Sequence, residues 1–176
     1  YRVRSYGSDI ESLINKTRPH LVSVCTPDAT HYEVTKRILA KNRPDLKLIF
    51  LEKPACEDPN DLSDMVAQSE SLDVPIVVNM SRRYHSWYQW IKENYDRDVF
   101  GPLLRADIFY YGGWSHNGVH AVDVIHFLFS EKLINGQIFE SLPGPTTNDP
   151  TYTARFNVKN GSAIVWFHGF AEKLQS

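Results

Sequence analysis

The chain has 176 residues and a formal net charge of −2, a length that suits one ordinary domain or two small ones. Charged residues at 23% and apolar residues at 42% exclude the disordered and collagen-like classes, and the near-neutral balance argues against a nucleic-acid binder. No apolar run approaches the ~20 residues needed to cross a bilayer, so no membrane partner is expected.

The opening residues lack a signal-peptide pattern. Tyr1 is not an initiator Met, which predicts that the natural N-terminus lies upstream. Cys25 and Cys56 form neither a metal-type pair nor a disulfide framework. They read as reduced thiols of a cytoplasmic protein, with Cys25 a small core residue.

Ser8-Asp9-Ile10-Glu11 reads as a capping box, with Ser8 as cap, opening a helix to about Lys16. Residues 21–25 are a short apolar run, the pattern of a strand covered on both faces of a parallel sheet. Thr26-Pro27-Asp28 turns the chain. A helix over 30–41 follows, with Tyr32, Val34, Ile38 and Leu39 inward. The unit then repeats. Residues 46–51 form the next strand, and Asp58-Pro59 starts a helix with Asp58 as cap and Pro59 at its first position. That helix runs to about Ser71, with Leu62, Met65, Val66 and Ser69 inward. Residues 74–79 form a third strand. Three strands separated by helices make a βαβαβ half of a doubly wound fold.

The second half differs. Residues 82–95 are helical, and their aromatics Tyr84, Trp87, Tyr88, Trp90 and Tyr95 are expected in a core. Residues 103–111 form a strand that Gly112-Gly113 ends, and 118–129 an amphipathic helix. Strands over 136–141, 152–158 and 162–169 follow, the last two joined by the hairpin signal Asn160-Gly161. The fold class is therefore α/β: the C-terminal half of a Rossmann-type parallel sheet over 1–82, then an α+β domain with an open, largely antiparallel sheet over 83–176.

In open α/β sheets ligands bind beyond the carboxyl ends of the strands. That rule selects residues 26–31, Glu52-Lys53-Pro54 and residues 79–83. Lys53, directly after an apolar strand and before a proline, suits proton transfer or the holding of a substrate hydroxyl; a solvated loop lysine is the plainer alternative. His116 and His120 lie one turn apart if the helix starts near His116. His120 could take a hydroxyl proton, while two histidines packed at a domain junction are the plainer alternative. No spacing supplies a third ligand, so no metal is expected. His85, His126 and His168 read as structural.

These segments carry a resemblance. Val22-Ser23-Val24-Cys25-Thr26-Pro27 with His31, then Glu52-Lys53-Pro54, Arg83, Gly112-Gly113, Gly118-Val119-His120 and Asp123 resemble, in order and spacing, the Gfo/Idh/MocA oxidoreductases. The resemblance implies a Rossmann domain binding NAD or NADP, with Thr26, Pro27, His31, Glu52, Lys53 and Pro54 at the cofactor and Pro54 cis. It implies a second domain whose open sheet shapes a sugar or polyol site and often forms the oligomer contact. Lys53, His120 and His116 are the implied catalytic positions, and Arg83, Asn117 and Asp123 the implied substrate contacts.

The implied activity is hydride transfer between the nicotinamide and a secondary alcohol of a sugar, sugar derivative or cyclitol. A non-catalytic binding or regulatory protein on the same scaffold is the alternative, and redox-assisted glycoside cleavage a third. The pattern departs from the family in two places. The glycine-rich G-x-G-x-x-G turn is absent from these residues, so the chain alone is expected to bind NAD weakly and to be inactive. Many members also carry Asp where His116 stands.

Overall fold

The computed structural model describes residues 5–40, 44–146 and 148–171. They fall into two compact units that meet between Asn79 and Met80.

In the first unit, α1 (Ile10–Thr17) is capped by Asp9, whose carboxylate accepts from the amides of Glu11 and Ser12. Ser8 was expected in that role. Asp9 takes it because its backbone is the extended one that precedes the helix, as capping geometry requires. Strands β1 (Leu21–Val24), β2 (Leu48–Leu51) and β3 (Ile76–Val78) form a parallel sheet in the order β1-β2-β3. Helices α2 (His31–Leu39) and α3 (Pro59–Leu72) are the crossovers. Lys41, the expected end of α2, lies outside the described residues.

The unit's core joins Ile14, Val24, Ile38, Leu39, Ile49, Leu51, Met65 and Val74. Each large apolar side chain buried this way contributes about 1.5–3 kcal/mol.

Three expectations about burial are corrected. β1 is buried on one face only: Val24 points inward while Leu21 and Ser23 are exposed. Cys25, one step on from Val24, falls on the exposed side with Ser23, 3.2 Å from its hydroxyl, and is no core residue. On α3, Leu62 and Val66 are exposed. That helix is turned onto Met65 by a polar seam: Tyr32 donates to Asp64 at 2.8 Å and Gln68 to the same oxygen at 2.7 Å.

In the second unit a 3-10 turn (Ser81–Tyr84) leads into α4 (Ser86–Asp96). Strand β4 (Arg105–Tyr111), a π-helical turn (Trp114–Gly118) and α5 (Val119–Phe129) follow, then β5 (Leu133–Leu142), β6 (Thr151–Val158) and β7 (Ile164–Phe170). The sheet order is β4-β7-β6-β5, with β4 parallel to β7 and the other pairs antiparallel. The β6–β7 hairpin forms as expected but closes over residues 159–162, with the Val158 amide donating to the Ala163 carbonyl. Its core gathers Tyr110, Ile125, Val165 and Phe167 around Trp114.

The expected aromatic core forms only in part. Tyr84 in the 3-10 turn and Trp87 and Trp90 on α4 are exposed, the two indoles stacked 5.0 Å apart, while Tyr88 and Tyr95 are half-buried, Tyr95 packing edge-on against Phe129. The spacing of Tyr84, Trp87 and Trp90 matches a helix face, but that face is directed outward within this unit.

Candidate functional site

The parallel register brings three loops to one end of the first unit. β1 delivers Thr26 and Pro27, β2 delivers Glu52, Lys53 and Pro54, and β3 delivers Asn79. Two side chains tie these loops together. His31, at the start of α2, is fully buried. Its Nδ1 lies 2.6 Å from the Pro54 carbonyl and its Nε2 2.8 Å from the Thr26 carbonyl. A carbonyl only accepts, so each contact requires a ring N–H; one tautomer serves one carbonyl, and the imidazolium serves both. Asn79 donates from Nδ2 to Glu52 Oε1 at 2.6 Å. The Lys53–Pro54 peptide is cis. Lys53 is half-buried.

Thr26 carries the one further signal. Its Oγ1 is buried and makes no hydrogen bond among the described residues. A buried hydroxyl without a partner is uncommon and asks for one.

The second unit holds the remaining candidates. Arg83 and Asp123 face each other: Arg83 Nε lies 3.0 Å from both Asp123 oxygens, and its Nη2 pairs with Oδ1. Asp123 is buried, and the pair raises the Arg83 pKa above its usual value. The two expected substrate contacts thus form a lock between the 3-10 turn and α5. Asn117 donates to the Tyr111 carbonyl at 2.8 Å.

His116 is exposed and lies in the π-helical turn, before α5 begins at Val119. The wider turn rotates it from the α-helical register with His120 that the spacing suggested. His120 is half-buried on the first turn of α5. Beside β4 lies a cleft of about 480 Å³ lined by Arg82, Tyr88, Tyr111, Asn117 and Val124 among others.

One residue outside every motif belongs to this group. Asp149, in the β5–β6 connection, accepts from the amides of Ser115 and His116 at 2.7 and 3.0 Å. Its separation of more than thirty residues from its partners left no local pattern to find. Two other histidines make local contacts: His85 caps α4 through Nδ1, and His168 bonds Asp107 at 3.0 Å. Among the described residues no group of three His, Cys, Asp or Glu could hold a metal ion.

A three-stranded parallel βαβαβ sheet with bonded loops at its carboxyl end is the pattern of one half of a doubly wound, nucleotide-binding fold. Residues 1–80 match the Gfo/Idh/MocA family, described as the oxidoreductase family with an NAD-binding Rossmann fold.

It is 24% identical over 175 residues to "Uncharacterized oxidoreductase YhhX" of Escherichia coli strain K12, covering 91% of this chain and 50% of that protein. It is 26% identical over 136 residues to inositol 2-dehydrogenase of Mycolicibacterium smegmatis, covering 70% of this chain and 38% of that protein. The chain thus spans half or less of the length of these relatives.

Two solved structures share the fold. Myo-inositol dehydrogenase from Lactobacillus casei, in complex with NAD(H) and myo-inositol, aligns with a TM-score of 0.74 at 18% identity, covering 91% of this chain and 50% of that one. A super-repressor mutant of Gal80p from Saccharomyces cerevisiae aligns with a TM-score of 0.80 at 17% identity, covering 93% and 53%.

Proposed function

We propose that the protein to which this chain belongs is an NAD(P)-dependent oxidoreductase acting on a secondary alcohol of a sugar, sugar derivative or cyclitol. The observation that carries this reading is the bonded loop cluster beyond β1, β2 and β3, within residues 1–80 that match a family described as NAD-binding. The naming of one relative as an inositol 2-dehydrogenase supports the substrate class.

The residues present fit the nicotinamide side of such a cofactor. Thr26, with its unpartnered buried hydroxyl, Pro27, Glu52, Lys53 and Pro54 would hold it, with His31 fixing the loops from which they project. The cofactor, when bound, supplies the hydride acceptor. The protein's part is to orient and to move a proton. Lys53, a donor with three N–H bonds, holds and polarises the reacting hydroxyl oxygen. His120 accepts the hydroxyl proton as the C–H hydride leaves, because an imidazole titrates near neutral pH. His116, standing where many members carry Asp, modulates that transfer. The Arg83–Asp123 pair and Asn117 support the substrate wall.

The second unit also favours a homo-oligomer. The sheet presents an aromatic row, with Phe109 stacked on His168 at 4.8 Å and Phe139 tilted against Trp166 at 5.0 Å, and both phenylalanines are exposed. An apolar row of this kind marks an interaction face. The His116 departure gives some support to the alternative, a binding or regulatory protein on this scaffold, and the likeness of the fold to Gal80p adds a weaker hint.

The test is to supply the full-length protein with NAD or NADP and a panel of cyclitols and sugars and to follow nicotinamide reduction. Turnover with at least one polyol is expected. Ligand binding without turnover across the panel would favour the regulatory reading.

A further inference from the structure

The first turn ahead of α5 must satisfy four amides that no preceding helical carbonyl can reach. In this chain four successive amides, those of residues 113–116, are all met by one short segment from elsewhere. Gly113 donates to Thr151 Oγ1 at 2.9 Å, Trp114 to the Pro150 carbonyl at 2.9 Å, Ser115 to Asp149 Oδ1 at 2.7 Å and His116 to Asp149 Oδ2 at 3.0 Å.

Thr151 is fully buried and begins β6, so the segment is anchored in the sheet. The fit is close: a Cβ on Gly113 would strike the Asp149 carboxylate, and Gly113 sits at φ 89°, where a side chain is disfavoured. Asp149 is therefore the acid that meets the positive end of this helical segment, and it grips the backbone of His116 directly.

We infer that Asp149 is a positioning residue. Its carboxylate fixes the turn that carries His116 and sets the starting register of α5, and with it the placement of His120. The role deepens the proposed dehydrogenase reading and rests on it.

The experiment compares full-length wild type with Asp149→Ala and Asp149→Asn. Three quantities are read: kcat, the KM for the nicotinamide cofactor, and amide hydrogen exchange over residues 113–120. In Asp149→Ala, exchange at Ser115 and His116 is expected to speed up and kcat to fall about tenfold or more, with cofactor KM held within about twofold. A residue that only stabilises the fold would not produce that kcat-against-KM split.

Asp149→Asn keeps one acceptor oxygen and is expected to fall between the two. A folded Asp149→Ala enzyme with kcat within about twofold of wild type overturns the inference. If Asp149→Ala does not fold, Asp149→Asn decides in the same way: an unchanged kcat overturns the inference, and a several-fold loss at constant cofactor KM supports it. Lys53→Ala serves as the control for the underlying reading. If Lys53→Ala also retains full turnover, it is the dehydrogenase assignment that fails. If Lys53→Ala is inactive and Asp149→Ala is not, only the positioning role fails.

Discussion

Tyr110 shows how one buried side chain couples the second unit to pH. Its hydroxyl donates to the Tyr152 carbonyl at 2.8 Å and accepts from the Tyr152 amide at 2.7 Å. Burial, aided by the Asp149 charge, pushes its pKa up from the usual 10.0 to about 12. The folded state therefore holds the proton more tightly than the unfolded state. The resulting stability is complete below about pH 10 and is lost as pH rises from there to about 12. Urea unfolding of wild type and Tyr110→Phe should show the wild-type advantage shrinking across that interval. An advantage that is constant with pH would contradict the assignment.

At this same scale the sequence was only partly legible. Lys53 stands out because a charged residue directly after an apolar strand is locally conspicuous. His31 lies in a segment that the sheet rule selects, but its part in the cluster was not visible there. Its two contacts, to the Thr26 and Pro54 carbonyls, depend on loops five and twenty-three residues away, which periodicity does not see.

The elements were legible where the signal is local. Asp58-Pro59 starts α3 as its cap chemistry requires, and all three parallel strands lie inside the apolar runs that predicted them. Orientation was less legible, since it depends on neighbours. Leu62 and Val66 look inward by pattern, yet the Tyr32–Asp64 contact rotates α3 onto Met65. The break at Gly112-Gly113 is visible as glycine punctuation. The reason for the second glycine, the Asp149 carboxylate in the space of its missing Cβ, belongs to tertiary structure. Gly113→Ala should therefore destabilise the protein by about 1–3 kcal/mol through positive-φ strain and displacement of Asp149. Equilibrium unfolding with a change below about 0.5 kcal/mol, the usual size of a neutral surface substitution, would contradict this.

For the whole molecule, the two units carry different parts of the proposed chemistry: Lys53 and the cofactor-side loops in the first, His120 and the Asp149-braced turn in the second. These 176 residues contain no G-x-G-x-x-G turn, and that turn with its helix is the main anchor for a pyrophosphate. The isolated chain is accordingly expected to bind NADH weakly. A calorimetric titration giving micromolar affinity would show that the loops beyond β1–β3 suffice.

The most direct test of the central claim is the turnover number of full-length Lys53→Ala and His120→Ala on a polyol that the wild type oxidises. Because each residue is assigned to the reacting hydroxyl, each variant should remain folded and lose at least about 10²-fold in kcat, the lower range for an acid–base group. Near-wild-type turnover in either variant would remove that residue from the reaction, and in both would end the proposed mechanism.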